Sequence, residues 1–411
     1  MKKLFTLLAL TITFSMSAQL GSTSYGSGTG FGSGEDYNSA FGVYALAANT
    51  TGDYNTSTGY DALAANTTGS WNTASGFKAL RTNTTGNFNT SSGNESLFSN
   101  TTGYSNTASG YQSLYSNTTG YYNTASGFES LEKNTTGSSN TASGILTLFS
   151  NTTGSYNTTS GAQSLRANTT GDNNTASGYQ SLRYNTTGTN NPASGYYSLY
   201  SNTTGNYNSA IGKSSLYSNT TGDFNVAIGN RAGYSLTTGS NNSVFGSYAY
   251  VGSSSGSNRT VIGYDTSGQA DNSVTLGNSD VTAIYMAEDS GATIYAGNAT
   301  FGGDVTISSD IRLKSNIVSL GSTLSKLLLI DGKSYTMNSD GKDKIGVLAQ
   351  EVQEVFPELV GEDTEGMLTV NYQGLVPVLI NALKEQQSEI ETYRDEVSEL
   401  REIVQELASR D

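Results

Sequence analysis

The tetrapeptide NTTG begins at Asn49 and returns at Asn66, Asn83, Asn100, Asn117, Asn134, Asn151, Asn168, Asn185, Asn202 and Asn219, every 17 residues, with LTTG following at Leu236. The full unit reads NTTGxxNTASGxxSLxx, with a second glycine at Gly59, Gly76 and Gly93 and a leucine at Leu46, Leu63, Leu80 and on to Leu216. Helix pairs and propeller blades need roughly twice as many residues per repeat or more. Two short strands and two turns fit, so each unit predicts one coil of a parallel β-solenoid, or β-roll, stacked on its neighbours at roughly 4.8 Å. Twelve such coils would make a rod on the order of 60 Å long.

Stacking assigns the positions. Each residue lies above its equivalent in the previous coil, so the Asn and Thr columns can form hydrogen-bonded ladders. The fixed glycines suit turns that need positive φ or close backbone approach. Leucine is the interior column, one per coil, which makes a thin core. In the last coils NTASG gives way to NSAIG at Asn208, NVAIG at Asn225 and NSVFG at Asn242, so that Ser is exchanged for Ile211, Ile228 and Phe245. The period-2 rule for strands suggests that this column faces the core. Pro192 stands where Thr is usual, so that N–H is dispensable in one coil.

The chain has 411 residues, 48 glycines, three prolines, no histidine and no cysteine, with a net charge of −14. Without His or Cys there is no Ser-His-Asp triad, no thiol nucleophile and no ordinary zinc site, and no cofactor or metal is called for. The acidic balance and the lack of any Lys/Arg cluster argue against a nucleic-acid partner. Acids in the repeat, such as Asp53, Asp61, Glu95, Glu129, Asp172 and Asp223, share no column, so the carboxylate pair of a glycan hydrolase is missing. The many Asn-x-Thr triplets are nominal glycosylation acceptors, but stacking accounts for them without sugar. Aromatic residues recur after NTTG and after the second glycine, among them Tyr104, Tyr121, Tyr156 and Tyr207, and Phe77, Tyr111, Phe128 and Tyr179. They suit either sugar-stacking, adhesive stripes or lateral packing between chains.

Residues 1–18 have Lys2 and Lys3, an apolar run from Leu4 to about Phe14 and small residues up to Ala18, the layout of a secretory signal peptide. No later segment reaches the roughly 20 apolar residues that span a bilayer. The expected destination is the cell surface or the extracellular space. The strands NVAIG (225–229) and SVTLG (273–277) resemble those in the β-roll heads of trimeric autotransporter adhesins. This resemblance covers roughly 38–280, although a period of 17 is longer than is usual there, and it implies a trimeric roll.

A β-rich neck is expected over 281–307, leading out of a repeat region spanning 19–280. From Ser308 the chain carries SDIRLKSNI (309–317), GVLAQEVQEVFPELV (346–360), VNY (370–372) and ALKEQ (382–386). These segments resemble the C-terminal intramolecular chaperone of phage endosialidases and tail spikes, a self-cleaving serine peptidase family also found in myelin regulatory factor. The resemblance implies a small α+β domain over 308–375, with Ser309 as nucleophile, Lys314 as base, and cleavage between Ser308 and Ser309. The chemistry permits this, because a buried, deprotonated amine can take the proton of a serine hydroxyl. By themselves a Ser and a Lys five residues apart carry almost no signal. Asn316 and Gln350 lie in the matched motifs as supporting polar residues, with plain structural hydrogen bonding the alternative. AQEVQEVFPELV reads as a short amphipathic helix ended by Pro357, packing through Val352 and Phe356.

Over 376–411, apolar residues fall at Val376, Leu379, Leu383, Ile390, Val397, Leu400, Val404 and Leu407, with Gln386 and Tyr393 completing alternating steps of three and four between charged flanks, the seam of a coiled coil. The alternative is one amphipathic helix on its own domain. The parts combine into an exported homotrimeric fibre, mainly β, assembled by a chaperone that acts once per chain as a serine autopeptidase. A glycan or a cell-surface receptor would be its partner if it is adhesive. The competing readings are a phage-type tail fibre and a non-cleaving trimerisation tail on a glycan-binding or glycan-degrading β-fibre.

Overall fold

The computed structural model describes residues 23–25, 37–284, 309–338, 341–363 and 365–409. The expected signal peptide, nearly all of the expected neck and Ser308 lie outside these residues. The chain divides into two compact units, Met1–Ala292 and Thr293–Asp411.

The first unit is a parallel β-solenoid. Sixteen strands, from Thr23–Tyr25 to Ser273–Leu276, pair in sequence order into one sheet. Each is parallel to the next and, through the regular part, displaced by one repeat, as in Thr73↔Thr90, Ala74↔Ser91 and Ser75↔Ser92. At roughly 4.8 Å per step, sixteen strands extend about 70 Å along the axis. Each coil contributes one strand of three or four residues rather than the expected two. The NTTG segment bonds from coil to coil without being a strand. Thr67 and Thr68 both donate their backbone N–H to the Thr84 carbonyl, and the Thr67 hydroxyl joins them at 3.0 Å.

A three-residue strand has one inward position, and the middle residue takes it. Ala74, Ala108, Ala125, Ala210, Ala227 and Val244 are fully buried, opposite the equally buried leucines of the Leu46–Leu216 column. The Ile column expected to face the core points the other way. Ile211 and Ile228 are 48% and 41% exposed, and Phe245 is only half-buried. Side chains alternate along a strand, so an inward Ala210 places Ile211 outward. The interior, one Ala and one Leu deep, leaves no space for a second large column.

Much of the rest of the interior is polar, and its asparagines are bonded in ladders. The NTTG asparagines form one buried ladder. Asn134 Nδ2 donates to Asn117 Oδ1 at 2.8 Å and to the Gly137 carbonyl at 2.9 Å, and the pattern repeats from Asn66 onward. The asparagines before the strands form another. The Asn123 N–H donates to Asn106 Oδ1 at 3.0 Å, while Asn123 Nδ2 closes its own coil on the Gly137 carbonyl at 2.9 Å. Burying an amide is costly unless it is bonded, and these columns meet that demand until the NTTG ladder ends at Asn219. The two ladders end differently. Arg259 takes the place of the next pre-strand asparagine and donates to Asn242 Oδ1 through its N–H, with its guanidinium on Asp271 and the Val251 carbonyl. The NTTG ladder stops at Asn219, whose Oδ1 is buried without a partner because Leu236 follows. Leu236 is itself fully buried, in the coil where the leucine column holds Gly233.

Gly76 shows why the second glycine is fixed. Its φ is +141°, and a Cβ there would lie 2.3 Å from the Gly93 carbonyl oxygen. No other residue type fits both constraints.

The second unit has a small core of Val352, Phe356 and Val378, with Leu327, Ile330, Val347, Val355, Leu359, Val360 and Val370 packed around it. The helix Ala349–Val355, followed by a 3-10 turn at Pro357–Leu359, packs through Val352 and Phe356 as the sequence predicts. Two hairpins, Lys333–Thr336 with Asp343–Gly346 and Val360–Glu362 with Leu368–Val370, complete the small domain. The long helix Leu375–Ala408 leaves it. Val378 and Ala382 are buried at its start, whereas Leu383, Ile390, Val397, Leu400, Val404 and Leu407 are exposed.

Candidate functional site

Ser309 and Lys314 lie on either side of one 3-10 turn, Ile311–Leu313. The turn forms because Asp310 caps it, its Oδ1 accepting the Arg312 N–H at 2.8 Å. The backbone N–H groups of Leu313 and Lys314 then bond the carbonyls of Asp310 and Ile311, both at 3.1 Å. Both residues flanking the turn, Asp310 and Lys314, are extended. The five-residue spacing thus becomes a side-by-side arrangement, with Lys314 Nζ donating to Ser309 Oγ at 2.6 Å. The Arg312 guanidinium grips the same cap, Nε on Oδ1 at 3.0 Å and Nη2 on Oδ2 at 2.8 Å. Arg312 holds the Asp310 carboxyl below its ordinary range through the side-chain bond first and the backbone N–H second.

This turn is fully open to water. Ser309 and Lys314 are both exposed, and so are the apolar residues around them: Ile311 at 70%, Leu313 at 71% and Val318 at 83%. An amine in water favours its charged form, whereas burial favours the neutral form that accepts a proton. The contact geometry of a dyad is present, and the described residues leave it open to water.

Asn316 has a left-handed backbone, φ +54°, and bonds neither Ser309 nor Lys314. Gln350 lies on the Ala349–Val355 helix and lines a groove with Tyr335, Val347, Met367 and Tyr372. Glu351 on that helix has a structural partner, Lys333 at 3.1 Å. The residue that sequence reasoning missed is Glu385. From the long helix its carboxylate accepts from the Ser322 hydroxyl and from the N–H groups of Thr323 and Leu324, capping the short helix Leu324–Leu327. These bonds, the Thr323 N–H first, hold the Glu385 carboxyl below its ordinary value. Nothing in the spacing announces a cap supplied from more than 60 residues away.

With this geometry in place, comparison with known proteins is decisive for one segment. Residues 309–361 match the family model for the chaperone of endosialidase. The matched chaperone segment starts at Ser309 and runs through the dyad turn, the first hairpin and the helix that carries Val352. It covers a minor part of the chain, and no curated protein matches. Among the described residues, no helix is long and apolar enough to cross a membrane.

A second feature lies on the solenoid. Tyr54, Trp71, Phe88, Tyr122, Tyr156, Tyr207 and Phe224 occupy one column with φ between 55° and 64°, and all are exposed. A bulky residue in the left-handed region costs on the order of 1–3 kcal/mol. Asn173, Asn190, Asn241 and Asn258, of a type that tolerates this conformation, hold the same place in other coils. Where aromatics are consecutive they stack: Tyr54 on Trp71 at 4.1 Å, Trp71 on Phe88 at 6.3 Å and Tyr207 on Phe224 at 4.9 Å, within 16° of parallel. Stacked rings cover one another's faces and present their edges. Tyr156 stands outside any such stack and is 63% exposed.

Proposed function

We propose that the chain is an exported homotrimeric fibre, surface-bound or secreted, whose C-terminal domain aligns three chains and then cuts itself off between Ser308 and Ser309. The observation that carries this is the 2.6 Å contact of Lys314 Nζ with Ser309 Oγ at the start of the matched chaperone segment. In the reaction, neutral Lys314 takes the hydroxyl proton as Ser309 Oγ attacks the Ser308 carbonyl carbon. The peptide bond breaks, the proton passes to the Ser309 nitrogen, and an ester joins Ser308 to Ser309 Oγ. Water then hydrolyses the ester, leaving a carboxylate on Ser308 and a free amine on Ser309. Each chain performs this once.

Assembly supplies what a single chain lacks. The exposed seam of the Leu375–Ala408 helix suits a coiled coil. The apolar residues beside the dyad, and the outward Ile211, Ile228, Ile262 and Leu276, suit burial against other copies. Burial favours the neutral form of an amine, so cutting would follow once trimer formation covers the dyad turn. A rod built from non-local pairing folds slowly, which gives a C-terminal aligner its purpose. The exposed aromatic column, kept where asparagine fits the backbone better, supports an adhesive role toward a glycan or a surface receptor. The exposed state of the dyad favours a second reading, a trimer clamp that is never cut.

The test is the intact mass of full-length protein beside Ser309→Ala and Lys314→Ala, with N-terminal sequencing of any small fragment. A C-terminal fragment beginning at Ser309 in the wild type and absent from both variants is expected. One uncut species in all three would replace the autopeptidase with the clamp.

A further inference from the structure

The same turn holds two charged side chains that the reaction above does not use. Asp310 is next to the nucleophile, and its carboxylate does two things: it caps the turn through the Arg312 N–H, and it pairs with the Arg312 guanidinium through both oxygens. A cap needs only an acceptor, and asparagine serves as well as aspartate there. The charge of Asp310 is therefore not required to form the turn. Left unpaired, a carboxylate on this turn would favour the charged form of an amine beside it, which cannot act as a base. The fork of Arg312 cancels that charge at its source.

Resting on the autopeptidase reading, we propose that Asp310 and Arg312 form a self-neutralising pair whose task is positional and electrostatic: Asp310 folds the turn that joins Ser309 to Lys314, and Arg312 keeps that carboxylate from holding Lys314 protonated. Neither is a catalytic residue. An exposed ion pair by itself contributes little to stability, and here 85% of the Arg312 side chain is open to water. Its influence on a neighbouring amine grows once the turn is covered, since screening and dielectric both fall on burial. Among the described residues, Asp310 and Arg312 are the charged groups on this turn besides Lys314, whose own hydrogen bond goes to Ser309.

The pair makes a prediction that a purely structural role would not. Arg312→Gln keeps the acidic cap but leaves its charge unbalanced, so the rise of cleavage rate with pH should move to higher pH. Asp310→Asn keeps a cap but leaves Arg312 unbalanced, so the rise should move to lower pH. Each displacement should be at least about half a pH unit at low salt and should shrink as salt is added. The double variant should return close to the wild-type profile. Full-length chains from cell-free synthesis, denatured in urea and diluted into buffers from mildly acidic to alkaline pH, would be followed by release of the fragment beginning at Ser309. Asp310→Ala, which removes the cap as well, should slow release at every pH. Rates that fall in both single variants with no shift, or with shifts of the same sign, would overturn the proposal and leave the pair structural. Wild-type chains that never release the fragment would instead overturn the autopeptidase reading beneath it.

Discussion

Replacing Asn134 by alanine tests whether the buried amide ladder is what lets so thin a solenoid stand. Asn134 Nδ2 donates to Asn117 Oδ1 and to the Gly137 carbonyl, and Asn134 Oδ1 accepts from Asn151 Nδ2 at 2.7 Å. Alanine removes all of these bonds, each worth about 1 kcal/mol net. It also strands Asn117 Oδ1, whose partner was Asn134, and an unpaired buried acceptor costs a further 1–3 kcal/mol, roughly. The loss is thus on the order of 4–6 kcal/mol by the same scale. Asn219→Ala is the internal control. Its Oδ1 already lacks a partner, and its Nδ2 bonds Asn202 Oδ1 and the Gly222 carbonyl at 2.9 and 3.1 Å. One bond fewer is lost, and an acceptor already buried without a partner leaves with the side chain, so this variant should be milder by about 2–4 kcal/mol. Long repeat arrays can unfold in parts, so amide hydrogen exchange read coil by coil is the right assay, with guanidinium denaturation beside it. Protection should fall most in the coils of Asn117, Asn134 and Asn151 and recover with distance, as nearest-neighbour coupling requires. Equal costs for the two variants, or exchange unchanged around residue 134, would refute the ladder argument.

Gly76→Ala should open the coils on either side of it to proteolysis, because its Cβ has no place beside the Gly93 carbonyl. Ile228→Asp should leave the solenoid coil folded, since the side chain points outward, yet shift the sedimentation of the full chain toward smaller species; loss of coil structure would contradict the outward assignment. Glu385 has a lowered folded pKa, so its contribution is present above the ordinary glutamate value and is lost as pH falls through the lowered one. Glu385→Gln should therefore flatten the acid limb of thermal stability, and an unchanged limb would show that the cap does not matter.

The solenoid was legible because a strict period makes every position a column. The buried leucines and the hydrogen-bonded asparagines follow from that alone. The direction of the strand was not. Ile211, Ile228 and Phe245 read as core residues by the rule that large apolar side chains go inside, but a three-residue strand has one inward place, and alanine or valine holds it. The second expected strand is absent because NTTG bonds its neighbours through turns. At the candidate site, residue types and spacing were readable, and the turn that joins Ser309 to Lys314 was not, since it depends on the Asp310 side chain folding back on the Arg312 N–H. Glu385 was invisible for a different reason: its contacts are long-range and carry no pattern.

The equivalence of the coils between Asn49 and Asn219 has a consequence for how such a chain can change. Each coil meets its neighbours through the same bonds, so gain or loss of one whole 17-residue unit leaves every interface as it was and alters the rod by roughly 4.8 Å. Any other insertion would displace the columns and unpair the amides. Leu236 and Arg259 mark where the two asparagine ladders end. Reach is thus a copy number, adjustable in whole 17-residue steps with no coil needing to be redesigned.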